Sequence, residues 1–364
     1  MEIVEGSSFN PAHGEAAQRS LESSTHARAV AIWLFVCCAL LLAMVVLGGV
    51  TRLTHSGLSI TEWQPVVGAL PPMNEAQWNK AFLRYQATPE YAQVNQGMSL
   101  EAFKRIFWWE YLHRLLGRVI GAAFLLPLLW FTGRRRIPRG FTAPLFGIFL
   151  LGALEGGLGW YMVKSGLVDD PRVSQLRLAA HLALALLIFG AMLWTAMSLL
   201  WPATLRRDAR RRAVARLGGA LVALVFVVVV SGGLVAGLRA GFAYNTFPLM
   251  NGHLVPTEIL VLEPWYLNLA NNMATVQFDH RVLAFTLALV VALFWWRVRA
   301  LPGTPSRARL GVNMLLIVLI VQATLGVATL LLVVPLPLAA AHQAGAVLLF
   351  AAALNAVHAL RAER

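Results

Sequence analysis

Eight apolar stretches run through this sequence, each close to the roughly 20 residues that a helix needs to cross a bilayer. They cover 29–50, 112–132, 142–162, 178–201, 213–235, 280–298, 309–334 and 338–360. In hydrocarbon every backbone N–H and C=O must bond internally, so spans of this kind fold as helices. Of 364 residues, 58% are hydrophobic and 13% are charged, about half the charge of an ordinary soluble domain. Mean hydropathy is +0.66. These proportions exclude a soluble globule, which needs far more polar surface. They also exclude a disordered chain and a coiled coil. The expected fold class is an all-α integral membrane protein with eight transmembrane helices.

The last two spans are separated only by Val334-Pro335-Leu336-Pro337. Two prolines so close predict a tight turn rather than one long helix. Residues 1–28 read as a polar cytoplasmic tail. They lack the early apolar core of a cleaved signal peptide. Cys37 and Cys38 are adjacent and form neither a disulfide framework nor a zinc site.

The net charge of +13 raises the question of nucleic acid, and its distribution answers it. With eight spans, the tail, the even-numbered loops and the C-terminus share one side. That side carries 18 of the 30 basic residues and 6 acids, a net +12. Its clusters are Arg134-Arg135-Arg136, Arg206-Arg207, Arg210-Arg211-Arg212 and Arg297/Arg299/Arg307/Arg309. The opposite side nets +2. The positive-inside rule then places both termini in the cytoplasm. The arginine loops lie against anionic lipid head groups, and a nucleic-acid partner is not expected.

The loops on the other, outer side are longer: 51–111, 163–177 and 236–279. Long loops at one face of a bundle commonly carry function. The first holds Trp63, Trp78, Tyr85, Tyr91, Phe103, Phe107, Trp108 and Trp109. Segments 74–86 and 99–109 read as short amphipathic helices, with the individual aromatics anchoring loop ends at the membrane interface.

The chain also repeats itself. Gly48-Gly49-Val50-Thr51-Arg52-Leu53 resembles Gly232-Gly233-Leu234-Val235-Ala236-Gly237-Leu238. Tyr111-Leu112-His113-Arg114-Leu115 resembles Phe278-Asp279-His280-Arg281-Val282. Glu155-Gly156-Gly157-Leu158-Gly159 resembles Gln322-Ala323-Thr324-Leu325-Gly326. Leu178-Ala179-Ala180-His181 resembles Ala339-Ala340-Ala341-His342. The order is kept and only loop lengths differ. Each half has four helices, an even number, so the halves are parallel repeats. Two pseudo-symmetric four-helix bundles in tandem are expected: 29–205 with outer loop 51–111, and 206–364 with outer loop 236–279.

Nine histidines are present. His13 and His26 fall in the tail, His358 near the cytoplasmic end of the last span, and His55 and His253 in outer loops. The remaining four, His113, His181, His280 and His342, hold repeat-equivalent places at the outer ends of the second and fourth helices of each half. Ionisable residues at membrane depth are costly and read first as functional. Two pairs, each from two helices of one bundle, suit the two axial positions of a haem iron. Zinc lacks a Cys or carboxylate to complete a tetrahedral set. For copper no Met or Cys partner recurs. A proton relay stays open. Arg114 and Arg281 follow the ligand candidates directly. They are candidate propionate partners, or they snorkel to head groups.

One difference between the halves is informative. Glu110 stands three residues before His113, and Gln277 three before His280. Positions i and i+3 share a helix face. A haem that only transfers electrons needs no acid, whereas chemistry on a bound porphyrin uses one to accept a proton or stabilise positive charge. The N-terminal half is therefore read as catalytic through Glu110 and the C-terminal half as cofactor-holding. The plainer reading places Glu110 at the aqueous interface beside Trp108 and Trp109. Glu155 against Gln322 is a second such difference, read as a neutral acid bonded to a neighbouring helix or as part of a proton path.

At this point a family resemblance enters. Trp109-Glu110-Tyr111-Leu112-His113-Arg114, the segment Gly48–Trp63, Tyr244-Asn245-Thr246-Phe247-Pro248-Leu249-Met250-Asn251-Gly252 and Phe278-Asp279-His280-Arg281 resemble haem A synthase, in the form shared by proteobacteria and mitochondria. The resemblance covers nearly all the chain after the tail. It implies an oxidoreductase that converts the C8 methyl group of haem O to a formyl group, giving haem A for terminal oxidases. It implies a haem b cofactor on His280 and His342. It places the substrate haem O on His113 and His181, with the family's important glutamate at Glu110. The activity it implies would oxidise the methyl twice, through an alcohol and a hydrated aldehyde that loses water. Expected partners are haem O, the farnesyltransferase that makes it, terminal oxidase assembly, membrane lipid and further copies of the chain as a homo-oligomer. The expected location is the bacterial inner membrane, with the four histidines near the periplasmic side. Other bacterial members carry a cysteine pair in outer loops. This chain has none there, so no role for a loop disulfide carries over. Two other classes are weighed: a di-haem b-type cytochrome exchanging electrons with quinol, which leaves the Glu110/Gln277 difference unexplained, and a transporter with parallel repeats, which calls for polar or unwound segments at mid-membrane.

Overall fold

The structure is a computed structural model that describes residues 11–62, 67–166, 173–202 and 209–361. Trp63, Arg206 and Arg207 lie outside the described residues. The long helices are α1 (Pro11–Leu53), α4 (Leu100–Gly133), α5 (Thr142–Gly166), α6 (Gln175–Leu200), α7 (Ala209–Gly237), α9 (Met273–Arg299), α10 (Ser306–Leu331) and α11 (Leu336–Ala359). Each contains a segment long and apolar enough to cross a membrane. Short helices α2 (Glu75–Gln86), α3 (Pro89–Gln93) and α8 (Asn268–Asn271) sit in the two long loops. Among the described residues there is no strand, only an isolated bridge between Met250 and His253. The protein is thus an all-helical, multi-pass membrane protein.

Local signals set the helix ends. Asn74 caps α2 by accepting from Gln77 N at 2.9 Å, and Ser99 caps α4 by accepting from Ala102 N at 3.2 Å. Asn272 accepts from both Ala274 N and Thr275 N at the start of α9. Such caps satisfy amide donors that the first turn cannot. After the Ser99 cap no glycine or proline interrupts the chain until the membrane is reached. The 99–109 segment is therefore the first turns of α4, not a separate interfacial helix. Similarly, α1 extends back through the polar tail to Pro11. Between α10 and α11 the turn is as short as expected, with Val333 and Val334 at left-handed φ of 62° and 58° and Pro335 at the cap.

Helices α1, α4, α5 and α6 touch in a closed ring, as do α7, α9, α10 and α11. The two rings meet where α6 packs on α7, α1 on α11 and α6 on α11. Central α1 and α6 are the most buried spans and α5 the least. Large side chains such as Leu126, Leu150, Leu289 and Leu310 point away from the bundle, the pattern of helices solvated by lipid tails. Polar groups tie the rings together. Gln343 donates to the Val45 carbonyl at 2.8 Å, and Arg52 to that of Gly237 at 2.9 Å.

The first long loop builds its own core. Tyr85, Phe103, Phe107 and Tyr111 are buried together, with Trp78, Phe82 and Tyr91 packed around them. The Tyr111 hydroxyl donates to the Ala69 carbonyl at 2.7 Å. These aromatics fold a cap over the bundle end rather than anchoring singly at an interface. Trp108 and Trp109, 41% and 37% exposed, keep an outward face among the described residues of this loop.

Candidate functional site

The four histidines lie one to four turns inside their helices, all at the loop-rich end of the bundle. Each ring is seated on a glycine of the neighbouring helix. A Cβ added to Gly48 would stand 3.4 Å from Cε1 of His113, and one on Gly232 would stand 3.3 Å from Cε1 of His280. On α5 and α10 the corresponding distances are 3.1 Å from Gly159 to His181 and 2.8 Å from Gly326 to His342. The repeated glycines are thus the surfaces against which the repeated imidazoles lie. Gly49 and Gly233 serve the contact between halves: a Cβ on Gly49 would collide with Gln343, and one on Gly233 would meet Leu182 at 3.1 Å. Gln343 and Leu182 each follow a site histidine. Within each half the two histidines lie within electrostatic reach of one another, His113 with His181 and His280 with His342.

The ring nitrogens are held differently in the two halves. Ser231 donates its hydroxyl to the Val228 carbonyl at 2.8 Å and lies 2.8 Å from Nδ1 of His280. A hydroxyl has one hydrogen. Given to Val228, it leaves the oxygen to accept Nδ1–H, and Nε2 of His280 is free to coordinate. Leu47 stands at the repeat-equivalent place in α1 and offers no such group. In the N-terminal half it is His181 that is backed, with Nδ1 3.0 Å from Oε1 of Glu155. Gln322, the repeat partner of Glu155, donates instead to the His342 main-chain carbonyl at 2.9 Å. Nδ1 of His342, like Nδ1 of His181, forms no hydrogen bond among the described residues, and the difference between them is the acid beside His181.

Glu110 is not at an aqueous interface: it is 3% exposed. Its Oε2 accepts from the Ser59 hydroxyl at 2.7 Å and the Ile60 amide at 2.8 Å. Its Oε1 pairs with Arg114 at 2.6 Å. Arg114 also donates to the main-chain carbonyls of Ile60 and Glu62. The C-terminal half repeats this clamp with neutral chemistry. Buried Gln277 accepts from Arg281 at 3.2 Å and donates to the Ala240 carbonyl at 2.8 Å, while Arg281 donates to the Tyr244 carbonyl at 3.0 Å. Both arginines, candidate propionate partners by sequence, fasten a loop to its helix here.

A further acid missed by sequence reading is Glu90, on α3. It is 5% exposed, and its Oε2 has no partner among the described residues. Burial and the nearby Glu110 push its carboxyl up to about 8, with Arg52 opposing. Its placement depends on the folded cap, so no local motif announces it. His55 accepts from Arg239 across the two halves at 2.7 Å. Burial, Arg239 and Arg52 hold its imidazole below the ordinary histidine range. His358 is buried at the other end of the bundle beside Ser198. Cys37 and Cys38 are buried free thiols. Among the described residues no three or more His, Cys, Asp or Glu side chains gather as a metal-holding cluster. The histidines come in pairs, not in the larger sets that zinc requires.

A family model described as "Cytochrome oxidase assembly protein" matches residues 31–354. "Heme A synthase" of Nitrosospira multiformis is 61% identical over 333 residues, 91% of this chain and 93% of its own. "Heme A synthase" of Nitrosomonas eutropha is 53% identical over 327 residues, 89% and 92% of the two chains. That of Parvibaculum lavamentivorans is 48% identical over 332 residues, covering 91% and 94%. With a family model across most of its length and relatives this similar over nine-tenths of theirs, the chain belongs to the cytochrome oxidase assembly family that includes the haem A synthases.

Proposed function

We propose that the chain is a haem A synthase, oxidising the C8 methyl group of haem O to a formyl group for terminal oxidase assembly. The reading draws on the family and on the names of the relatives. The observation that carries it is the pair of matched histidine seats, one accompanied by the acids Glu110 and Glu155 and the other by neutral groups at the equivalent positions.

In this reading His280 and His342 hold a resident haem b. The residues fit such a group. His280 and His342 come from opposite helices of one ring and would be its ligands, Ser231 would fix the tautomer of one, and the glycines leave each imidazole its place. Paired imidazoles are an axial set that haem iron accepts. When bound there, haem b supplies one-electron transfer. His113 and His181 hold the iron of the substrate haem O, whose farnesyl tail lies towards lipid. Each oxidation of the methyl carbon releases protons, and a fixed carboxylate answers that need. Glu110, with one oxygen on Arg114 and the other on Ser59 and Ile60, is held rigid for that role. Hydrogen bonds of this kind orient a carboxylate. The clamp also ties the reacting end to the aromatic cap, which screens it from water.

The same proposal sets the molecule in the bacterial inner membrane, termini and arginine loops in the cytoplasm, histidines near the periplasmic side. The net +12 against +2 across the two faces supports that orientation. Two tandem bundles, 29–205 and 206–364, are supported by the equivalent helix contacts and glycine seats. Haem O arrives from its farnesyltransferase. The test is coexpression with a haem O source and mass analysis of extracted haems. Haem A is expected; its absence, with bound haem unchanged in mass, would turn the reading to a di-haem electron carrier.

A further inference from the structure

Glu155 and Gln322 occupy the same repeat position, yet they do different things. Four residues beyond each is the glycine on which a histidine ring rests, Gly159 for His181 and Gly326 for His342. Positions i and i+4 share a helix face. One face of α5 therefore presents both a seat for His181 and an acid beside it. Oε1 of Glu155 lies 3.0 Å from Nδ1 of His181, at ion-pair distance but without a linear hydrogen bond, and Oε2 has no partner among the described residues. In α10 the carboxamide of Gln322 turns to the His342 main-chain carbonyl, so His342 has no acid beside it as His181 has. His280 meets neutral groups, the Ser231 hydroxyl at Nδ1 and the Val228 main chain.

From this geometry we propose that Glu155 is a positioning residue for the reaction: it accepts Nδ1–H of His181, presents Nε2 to the iron of the substrate haem, and lowers that iron's reduction potential relative to the C-terminal haem. The proposal rests on the assignment of His113 and His181 to the substrate haem. A carboxylate behind a ligating imidazole fixes its tautomer and makes it a more basic ligand. A more basic ligand stabilises the more highly charged iron. A neutral hydroxyl does so less, and an unpartnered Nδ1 does not. A lower potential favours loss of electrons from the haem that is itself oxidised at its periphery. The acid found by sequence comparison at a buried depth thus has an assigned partner, and the difference between the halves extends from the cap to the iron ligands.

The experiment uses the full-length protein purified with both haems after coexpression with a haem O source. Spectroelectrochemistry reads both potentials, and loss of one of them in His113→Ala identifies the N-terminal haem. In Glu155→Gln the N-terminal potential is expected to rise while the C-terminal potential stays put. The C-terminal haem band doubles as the folding control. An N-terminal potential unmoved in Glu155→Gln overturns the proposal. Should that variant lose its N-terminal haem, Glu155→Asp decides: retention supports a carboxylate requirement, and equal loss overturns it. Haem A measured in the wild type separates this from the proposed activity. A wild type without haem A whose N-terminal potential still shifts in Glu155→Gln leaves the pairing standing and removes the synthase reading.

Discussion

In the C-terminal half Arg281 is met by Gln277, and Nδ1 of His280 by Ser231; in the N-terminal half Arg114 is met by Glu110, and Nδ1 of His181 by Glu155. The scaffolds correspond helix for helix, with glycine under each ring. What differs is charge. Burying a carboxylate is costly unless it is paired and hydrogen-bonded, and a half that only grips a haem achieves the same shape with amides and hydroxyls. Acids kept at these two positions in one half alone, at that cost, point to chemistry there.

The comparison breaks most easily at Glu110. Glu110→Gln makes the N-terminal clamp resemble that of Gln277. Haem should remain bound while haem A formation falls by about 100-fold or more, the scale of a lost general acid–base group. Haem A accumulating at the wild-type rate would remove Glu110 from the reaction. Next is Ser231→Ala, which removes the side-chain partner of Nδ1 of His280. Loss of such an outer partner lowers affinity by about 10- to 100-fold, here of the C-terminal haem alone, read from haem retention on dilution. The glycine seats give a graded series. Overpacking costs roughly 1–3 kcal/mol, and the space left falls from Gly48 to Gly326. Gly326→Ala should therefore loosen its haem more than Gly48→Ala loosens the other. An inverted order would mean that the seats are not what positions the rings.

The smallest effect concerns Glu90, whose cap has no buried acid as counterpart in the C-terminal loop, where Glu258 and Glu263 are exposed. Between pH 4.5, the ordinary value, and about 8, the folded protein keeps a proton that the unfolded chain has lost. The stabilisation is thus full below 4.5 and disappears as pH rises through 8. Thermal unfolding of Glu90→Gln should show a flatter decline over that window than the wild type. Parallel declines would place Glu90 in contact with water.

The spans and the histidine positions were legible in the sequence because hydrocarbon imposes a long, unbroken apolar signal and because each histidine recurs with its flanking residues. The glycines were visible as a repeat, but their contact with the imidazoles was not, since each lies on a different helix from its histidine. The same holds for Glu155 and His181. Ser231 has Leu47 at its repeat position, so comparison of the halves passes over it. The cap was misread for a related reason. Tyr85, Phe103 and Phe107 are spaced like interfacial anchors, and only the fold of α2 and α3 onto α4 brings them together. The start of α4 was set late because the aromatic, charged 99–109 segment does not read as a continuation of an apolar span.

The division of labour between the halves is tested most directly by comparing the haems extracted from His113→Ala and His280→Ala after coexpression with a haem O source. The account predicts that His113→Ala keeps haem b but yields no haem A, and that His280→Ala loses haem b selectively. Haem A formed at the wild-type level by His113→Ala, or haem b lost from it in place of haem O, would contradict the account.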